Sequence, residues 1–161
     1  MTAATEETYL RRALTEARAA FEAGEVPVGA VVVLESQVIG RGHNQRETLH
    51  DPTAHAEMLA LTAAANHLGD WRLAGCTMYV TKEPCAMCAG ALVNARVKRL
   101  VFGAWDEEAG AAGSLYQLCR DPRFNHQVEV HGGVLEGECR GLLETFFRRR
   151  RAESQGERSG E

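Results

Sequence analysis

The chain has 161 residues, of which 45% are hydrophobic and 25% charged, the composition of a globular domain with a single sizeable core. No apolar run approaches the roughly 20 residues of a membrane helix, and the N-terminal stretch lacks the apolar centre of a secretory signal, so a cytoplasmic protein is expected. The net charge of −4 provides no overall attraction to nucleic acid, so such a partner requires local basic patches, such as residues 148–151.

Helices and strands are predicted to alternate along the chain. Apolar residues at helical spacing mark the first and last helices, whereas short apolar runs rich in valine mark strands. Pro52 and Pro84 each fit the first turn of a helix, where a missing amide hydrogen costs nothing. The predicted order is helix 6–23, strands 28–34 and 38–42, helix 52–67, strand 77–81, helix 84–94, strands 100–103 and 128–131, and a final helix from residue 135.

This order predicts an α/β fold in which helices cover a sheet. We expect a single domain over residues 1–151. Residues 152–161 (AESQGERSGE) are polar, and a disordered tail is expected there.

The five cysteines are an odd number in a chain without an export signal, which argues against a disulfide framework. In a reducing compartment, a close pair such as Cys85 and Cys88 indicates metal or redox chemistry instead. Because they are three positions apart, both thiolates share one face of a helical turn. The positive N-terminal end of that helix stabilises them.

His55, Cys85 and Cys88 together supply three zinc ligands, and no other histidine or cysteine has a spacing that provides a fourth. Structural zinc sites use four protein ligands, whereas catalytic sites keep a position for water. Zinc lowers the pKa of such a water from 15.7 to about 7, and Glu57, two residues after His55, is placed to carry its protons. The alternative is a closed structural site beside which Glu57 is an ordinary solvated charge.

His-x-Glu followed by Pro-Cys-x-x-Cys matches the signature of zinc-dependent nucleobase deaminases, the cytidine-deaminase-like superfamily. Beyond this signature, residues 6–151 resemble the bacterial tRNA-specific adenosine deaminases. The matching stretches are GEVPVGAVVV (24–33), HDPTAHAEMLAL (50–61), MYVTKEPCAMCAGAL (78–92), VFGAWD (101–106), GAAGSL (110–115), FNH (124–126) and FFR (146–148).

The resemblance implies a three-layer αβα fold around a five-stranded mixed sheet, with one Zn²⁺ per subunit and a homodimer whose interface helps form the RNA site. The implied substrate is the anticodon stem-loop of an arginine tRNA, whose wobble adenosine becomes inosine. An activated water attacks the amine-bearing carbon of the purine, while Glu57 takes the water's proton, protonates the ring nitrogen and helps ammonia leave.

The resemblance also implies which residues contact the substrate. Backbone groups near the zinc ligands hold the reacting edge of the base, and side chains around them contact the rest of the anticodon loop. Asn44 is expected to hydrogen-bond the base, and Asp106 to contact a sugar hydroxyl. The full set is Val28, Asn44, Ala56, Glu83, Pro84, Asp106, Asn125, His126, Phe146, Phe147 and Arg148.

From the residues alone, several of these positions have other interpretations. Asn44 also suits a turn and Asp106 a solvated loop, and core packing accounts for one of the two phenylalanines. Residues 148–151 either pair with phosphates or complement the C-terminal helix dipole. Trp105 stands where one version of the family motif has arginine, and it provides either a stacking plane or a core or interface residue.

Two other functions compete with the tRNA deaminase. The first is a deaminase of a free base or nucleotide, such as guanine or cytosine, against which the basic segment 146–151 and the match at 124–126 argue. The second is a zinc-stabilised RNA-binding module without catalysis. Glu57 and the lack of a fourth ligand argue against this second function.

Overall fold

The computed structural model describes residues 2–159, with side chains up to residue 156. Five strands form one sheet in the order β2-β1-β3-β4-β5. The pairs β1–β2 and β1–β3 are antiparallel, whereas β3–β4 and β4–β5 are parallel, which confirms the expected mixed sheet. The strands are β1 (Gly29–Leu34), β2 (Gln37–His43), β3 (Thr77–Lys82), β4 (Arg99–Ala104) and β5 (Glu129–His131).

Two helices cover each face of the sheet, which confirms the three-layer αβα architecture. On one face lie α1 (Ala3–Glu22) and α4 (Glu136–Ser159), and on the other α2 (Ala56–Leu68) and α3 (Ala86–Asn94). Successive strand residues point to opposite faces, so each central strand serves both cores. Val32, Met78 and Leu100 join the core under α2 and α3, whereas Val31, Tyr79 and Val101 join the core under α1 and α4.

Glycine and alanine bring α2 unusually close to the sheet. A Cβ atom at Gly42 would lie 2.7 Å from the carbonyl oxygen of Ala56, and one at Gly40 would lie 2.5 Å from that of Ala60. The helix backbone therefore rests directly on β2, with no side chain between them. This contact fixes the position of the N-terminus of α2, from which His55 and Glu57 project.

The helices α2 and α3 begin later than the prolines predict. The side chain of Asp51 accepts hydrogen bonds from the N–H and hydroxyl of Thr53, at 2.8 and 2.7 Å, and so closes a separate turn around Pro52. The N-caps are His55 for α2 and Cys85 for α3. The predicted starts at Pro52 and Pro84 are therefore wrong, because each proline precedes the cap instead of entering the first turn.

The last helix, α4, continues to Ser159, so residues 152–159 are helical where a disordered tail is expected from composition. Arginine, alanine, glutamate and glutamine are all good helix formers, and a helix that is already nucleated propagates at little cost. Residues 160–161 lie outside the described range. Among the described residues, no helix is long and apolar enough to cross a membrane.

Candidate active site

Three donor atoms converge where α2 and α3 begin. Nδ1 of His55 lies 3.6 Å from the Sγ atoms of both Cys85 and Cys88, and all three atoms lie within 4.8 Å of one another. With Zn–S near 2.3 Å and Zn–N near 2.0–2.1 Å, tetrahedral ligands of these two kinds stand about 3.6 Å apart. The donor set and its spacing therefore fit zinc, as the sequence predicts.

No further histidine, cysteine or acidic side chain joins this group in the part of the chain that the structure describes. The group therefore offers three ligands, the number that leaves a fourth tetrahedral position for water. His55 and Cys85 are the N-caps of their helices, and neither side chain forms a capping hydrogen bond. The positive ends of both helix dipoles consequently face the site, where they stabilise thiolates and any anion bound between them.

The pKa values of the two cysteine thiols are shifted in opposite directions. A hydrogen bond from Cys88 lowers the pKa of Cys85 to about 3, and a hydrogen bond from His55 acts in the same direction. The same hydrogen bond to Cys85 raises the pKa of Cys88, and burial adds to the increase. Cys85 is therefore the thiolate at neutral pH, the ionised form that binds a metal, and metal binding at this group releases protons.

Glu57 lies in the first turn of α2, beside the three donor atoms. Its side chain is 4% exposed, and this burial raises its pKa above the ordinary value. A carboxyl group whose pKa moves toward neutrality accepts and returns a proton more readily. Glu57 is therefore suited to move protons at the metal group, the role that its position in the sequence predicts.

A cavity of about 320 Å³ opens above the metal group. This is the lower end of the range for small-ligand pockets, enough for one nucleobase and far too small for a folded RNA. Six of the expected substrate residues line it, namely Val28, Asn44, Ala56, Glu83, Asp106 and Phe147. The lining side chains are Val26, Val28, Asn44, Arg46, His55, Ala56, Glu57, Lys82, Glu83, Cys85, Asp106, Ala109 and Phe147.

Glu83 is buried in the cavity wall, and its carboxylate is hydrogen-bonded to the loop that follows β4. It accepts hydrogen bonds from the backbone N–H groups of Asp106, Ala112 and Ser114, at 2.9, 3.1 and 3.0 Å, and from the Ser114 hydroxyl. A Cβ atom at Gly110 would collide with this carboxylate, so glycine is required there. The side chain of Glu83 thus holds one rim of the cavity in place.

Asp106 stands on that rim and is paired with Lys82, at 3.2 Å between Oδ2 and Nζ. Its other oxygen accepts hydrogen bonds from the N–H groups of Glu108 and Ala109. Burial acts to raise the pKa of Asp106, but Lys82 and these hydrogen bonds outweigh it, so the net shift is downward. Asp106 is an ionised acceptor at neutral pH, and Lys82 brings a positive charge to the cavity mouth.

The opposite rim is held in the same way by Glu25, which is 1% exposed. Its carboxylate accepts hydrogen bonds from the N–H groups of Glu47 and Thr48 and from the Thr48 hydroxyl, at 3.1, 2.8 and 2.7 Å. Burial opposes ionisation, yet these bonds and nearby Arg46 lower the pKa of Glu25 overall. Asn44, in the same loop, bonds to the carbonyl of Val26 and the N–H of Arg46, which fixes its amide at the cavity wall.

Several expected substrate residues lie elsewhere. Phe146 is 6% exposed and packs edge-on against Phe21 and Phe147, so its placement is that of a core residue. Phe147 is 43% exposed and lines the cavity. The carbonyl of buried Pro84 accepts the N–H of Ala111, so it supports the loop rather than facing the cavity.

Asn125 and His126 are farther from the cavity. Asn125 is exposed, and Nε2 of His126 donates to the carbonyl of Val97, just before β4. The cavity lies at the other end of β4, where Asp106 follows the strand. Arg148 lies in a neighbouring groove along α4.

Sequence reasoning missed three residues that shape the site, namely Glu25, Arg46 and Lys82, and it missed the role of the Glu83 side chain in holding the loop after β4. A signal was present for two of them. Glu25 and Glu83 are single carboxylates beside apolar segments, and a buried charge in such a place must accept hydrogen bonds from its surroundings. Nothing local to the sequence indicates that their donors lie more than 20 residues further on.

Comparison with known proteins identifies the family of the chain. The MafB19-like deaminase family matches residues 4–151. The tRNA-specific adenosine deaminase of Bacillus subtilis is 52% identical over 153 residues, which are 95% of each chain. The enzyme of the same name from Haemophilus influenzae is 47% identical over 155 residues, 96% of this chain and 90% of the relative.

Solved structures give the same result for the fold. One from biochemical and structural studies of A-to-I editing by tRNA:A34 deaminases superposes with a TM-score of 0.81 at 43% identity, covering 84% of this chain and 98% of its own. Guanine deaminase from Nitrosomonas europaea superposes with a TM-score of 0.72 at 27% identity, covering 87% and 83%. The fold and the site together define a nucleobase-deaminating hydrolase. Within that class, the chain belongs to the bacterial tRNA-specific adenosine deaminase family.

Proposed function

We propose that this protein is a zinc-dependent deaminase that converts adenosine to inosine at the wobble position of a tRNA anticodon, with an arginine tRNA as its substrate. One observation carries the proposal. Three donor atoms with zinc-ligand spacing and the buried carboxyl of Glu57 meet at the floor of a cavity large enough for one base. The names of the relatives support a tRNA adenosine as that base.

His55, Cys85 and Cys88 would hold one Zn²⁺, which when bound makes a water molecule acidic enough to ionise near pH 7. Glu57 then does the proton transfer. Its carboxylate takes one proton from the attacking water and delivers it to the purine ring nitrogen as the new C–O bond forms. It then takes the second proton from the hydroxyl now on that carbon and passes it to the amino group, which leaves as ammonia as the C–N bond breaks and the C=O bond forms. Burial of Glu57 supports this cycle because it raises the pKa of the carboxyl toward neutrality, so that the protonated and ionised forms differ less in free energy near pH 7.

Recognition of the base falls to the cavity walls. Val28 and Phe147 offer apolar surface, while the fixed amide of Asn44 has a remaining N–H and lone pair for the edge of a purine. Asp106 is ionised and accepts a hydrogen bond from a sugar hydroxyl, a group that distinguishes RNA from DNA. A loop nucleotide is already unpaired, so its entry costs less than opening a duplex.

We further propose a homodimer. In one chain, Asn125 and His126 stand at the end of β4 opposite the cavity, so they cannot reach a base bound there. A second copy is the simplest way to bring them to the same stem-loop, and the family resemblance implies this arrangement.

The test is conversion of a wobble adenosine to inosine in an arginine tRNA stem-loop, measured by nucleoside analysis and accompanied by metal analysis. We expect about one zinc per chain. Glu57→Gln keeps the shape of the side chain but cannot accept the proton, so turnover should fall by about 10²–10⁴-fold while zinc is retained. Glu35→Gln, the same change at an exposed turn far from the site, is the matched control and should be fully active.

Two outcomes would contradict the proposal. Normal turnover by Glu57→Gln would remove the proton-transfer role. Release of ammonia from free guanine or cytosine in preference to the stem-loop would favour a free-base deaminase, as in the structural neighbour from Nitrosomonas europaea.

A further inference from the structure

Lys82 is the last residue of β3, and its side chain lines the cavity together with Asp106. The sheet sets its position, because Lys82 pairs in parallel register with Ala104 at the end of β4. Asp106 follows two residues later, where its N–H donates to the carboxylate of buried Glu83 at 2.9 Å. The backbones of both residues are therefore fixed before a ligand enters, and they bring Nζ of Lys82 to 3.2 Å from Oδ2 of Asp106.

The hydrogen-bonding capacity of this pair is only partly used within the protein. Oδ1 of Asp106 accepts from the N–H groups of Glu108 and Ala109, both at 3.1 Å, whereas Oδ2 is paired with the ammonium of Lys82. Each carboxylate oxygen has two lone pairs, and an ammonium group has three N–H donors. Within the described residues, the pair therefore keeps one acceptor site on Oδ2 and two N–H groups on Lys82.

A hydroxyl group suits this pair better than a phosphate does. A phosphate oxygen only accepts hydrogen bonds, and the negative charge of Asp106 repels it. A hydroxyl both donates and accepts, so its hydrogen can go to Oδ2 while its oxygen accepts from Lys82. Since the ammonium and the carboxylate cancel each other's charge, a neutral group with both capacities is the matching ligand.

The pair is partly shielded from water, yet it can be reached from the cavity. The side chain of Lys82 is 32% exposed and that of Asp106 is 14% exposed. A binding group in such a position discriminates between ligands, because bulk water replaces a missing partner less well than it does on an open surface. In an internal RNA nucleotide the 2′-hydroxyl is the free sugar hydroxyl, and DNA lacks it.

Lys82 also offsets acidic charge at this rim. Glu83 and Asp106 are carboxylates joined by a hydrogen bond through the backbone N–H of Asp106, and Lys82 is the lysine that lines the cavity beside them. Loss of the ammonium would leave a more negative rim, which repels any polyanionic strand whatever its sugars. Because that repulsion is the same for ribose and deoxyribose, discrimination between the two sugars separates it from recognition of a hydroxyl.

We propose that Lys82 is a specificity-determining residue that binds a 2′-hydroxyl of the substrate together with Asp106, with Lys82 donating to the hydroxyl oxygen and Asp106 accepting its hydrogen. This inference rests on the RNA substrate and on the sugar contact of Asp106 proposed above, and it supplies the donor that a carboxylate lacks. Pairing with Asp106 is what distinguishes Lys82 from an ordinary phosphate-binding lysine.

Stem-loops that each carry one 2′-deoxynucleotide in the loop test the proposal. For each loop position, kcat/KM for the all-ribose stem-loop is divided by kcat/KM for the substituted one. Asp106→Asn identifies the position that Asp106 contacts, since the ratio falls there. At the same position Lys82→Met should lower the ratio about fivefold, the usual contribution of one hydrogen bond. Lys82→Arg keeps a positive charge and N–H donors, so it should retain more of the ratio than Lys82→Met does.

Lys98→Met is the matched control, because Lys98 is the chain's only other lysine and is exposed just before β4, at the opposite end of that strand. It makes the same change in charge and should leave the ratio unchanged at every position. If Lys82→Met lowers kcat/KM equally for ribose and deoxyribose, Lys82 is only a counter-charge and the proposal is overturned. A lower ratio at a position other than that of Asp106 would also overturn it.

The two lysines also allow a direct observation by NMR. With a ¹³C label at the ε carbon of lysine, the protein gives two side-chain signals, which Lys98→Met assigns. In the Glu57→Gln background, which slows turnover, the Lys82 signal should shift on saturation with the all-ribose stem-loop and shift less with the stem-loop that is deoxy at the position of Asp106. An unchanged Lys82 signal at saturation would rule out the contact.

Failure of this inference can be told from failure of the proposed function. If the wild type makes inosine while Lys82→Met leaves every ratio unchanged, the recognition role of Lys82 is lost and the proposed function stands. If the wild type makes no inosine from a tRNA stem-loop, the proposed function fails, and the recognition role of Lys82 fails with it.

Discussion

Glu83→Gln tests the claim that a buried carboxylate holds the cavity rim. Glutamine has the same shape but only one acceptor oxygen. If that oxygen keeps the N–H groups of Ala112 and Ser114, the new amide nitrogen faces the N–H of Asp106, which loses its partner. A lost hydrogen bond to a charged group, together with a buried donor left unpaired, costs about 2–4 kcal/mol.

For a chain of this length, a loss of that size lowers the melting temperature by about 4–16 °C. Differential scanning calorimetry measures this shift in melting temperature. Glu107→Gln is the matched control, since it makes the same change on an exposed side chain in the loop after β4. The control should shift by no more than about 2 °C. Zinc content should stay unchanged in both variants, because neither residue belongs to the metal group. Equal melting temperatures for the two variants would refute the reasoning.

Two further predictions follow from the structure. The pKa of Glu25 in the folded protein lies below its ordinary value of 4.5, so ionised Glu25 stabilises the fold above pH 4.5, and this stabilisation is lost as the pH falls through the folded-state pKa. Glu25→Gln should therefore reduce the loss of stability at acid pH, measured as the free energy of unfolding against pH. An unchanged acid limb of that curve would show that Glu25 is not held ionised. If a second copy completes the RNA site, diluting the protein until analytical ultracentrifugation shows a monomer should weaken stem-loop binding. Equal affinity in the confirmed monomer would contradict a shared RNA site.

Sequence patterns predict the elements of this fold because each core-facing position repeats with the period of its helix or strand. They place helix starts less well. Pro52 resembles a first-turn residue, but the hydrogen bonds of Asp51 to Thr53 turn the chain before α2 begins. The end of α4 is missed for a related reason, since polarity predicts exposure and exposure does not exclude a helix.

The metal group is predictable because its ligands follow local spacing rules at two helix starts. The cavity rims are not. The conformation of the rim loops depends on the carboxylates of Glu25 and Glu83, which accept hydrogen bonds from N–H groups 22 to 31 residues further along the chain. These groups come within hydrogen-bonding distance only once the sheet has formed. The positions of Phe146 and Phe147 are likewise set by tertiary packing, because both lie on one amphipathic helix and only contact with Phe21 decides which ring is buried.

The way Glu25 and Glu83 fasten the loops has a consequence for how such a site can change. Five of their seven hydrogen bonds come from backbone N–H groups, which every residue except proline possesses. Most side chains of the two rims can therefore be replaced without loss of the backbone hydrogen bonds to Glu25 and Glu83. The scaffold separates the shape of the cavity mouth from its chemistry, so new base preferences are accessible by loop substitution, with proline at the donor positions as the principal exclusion.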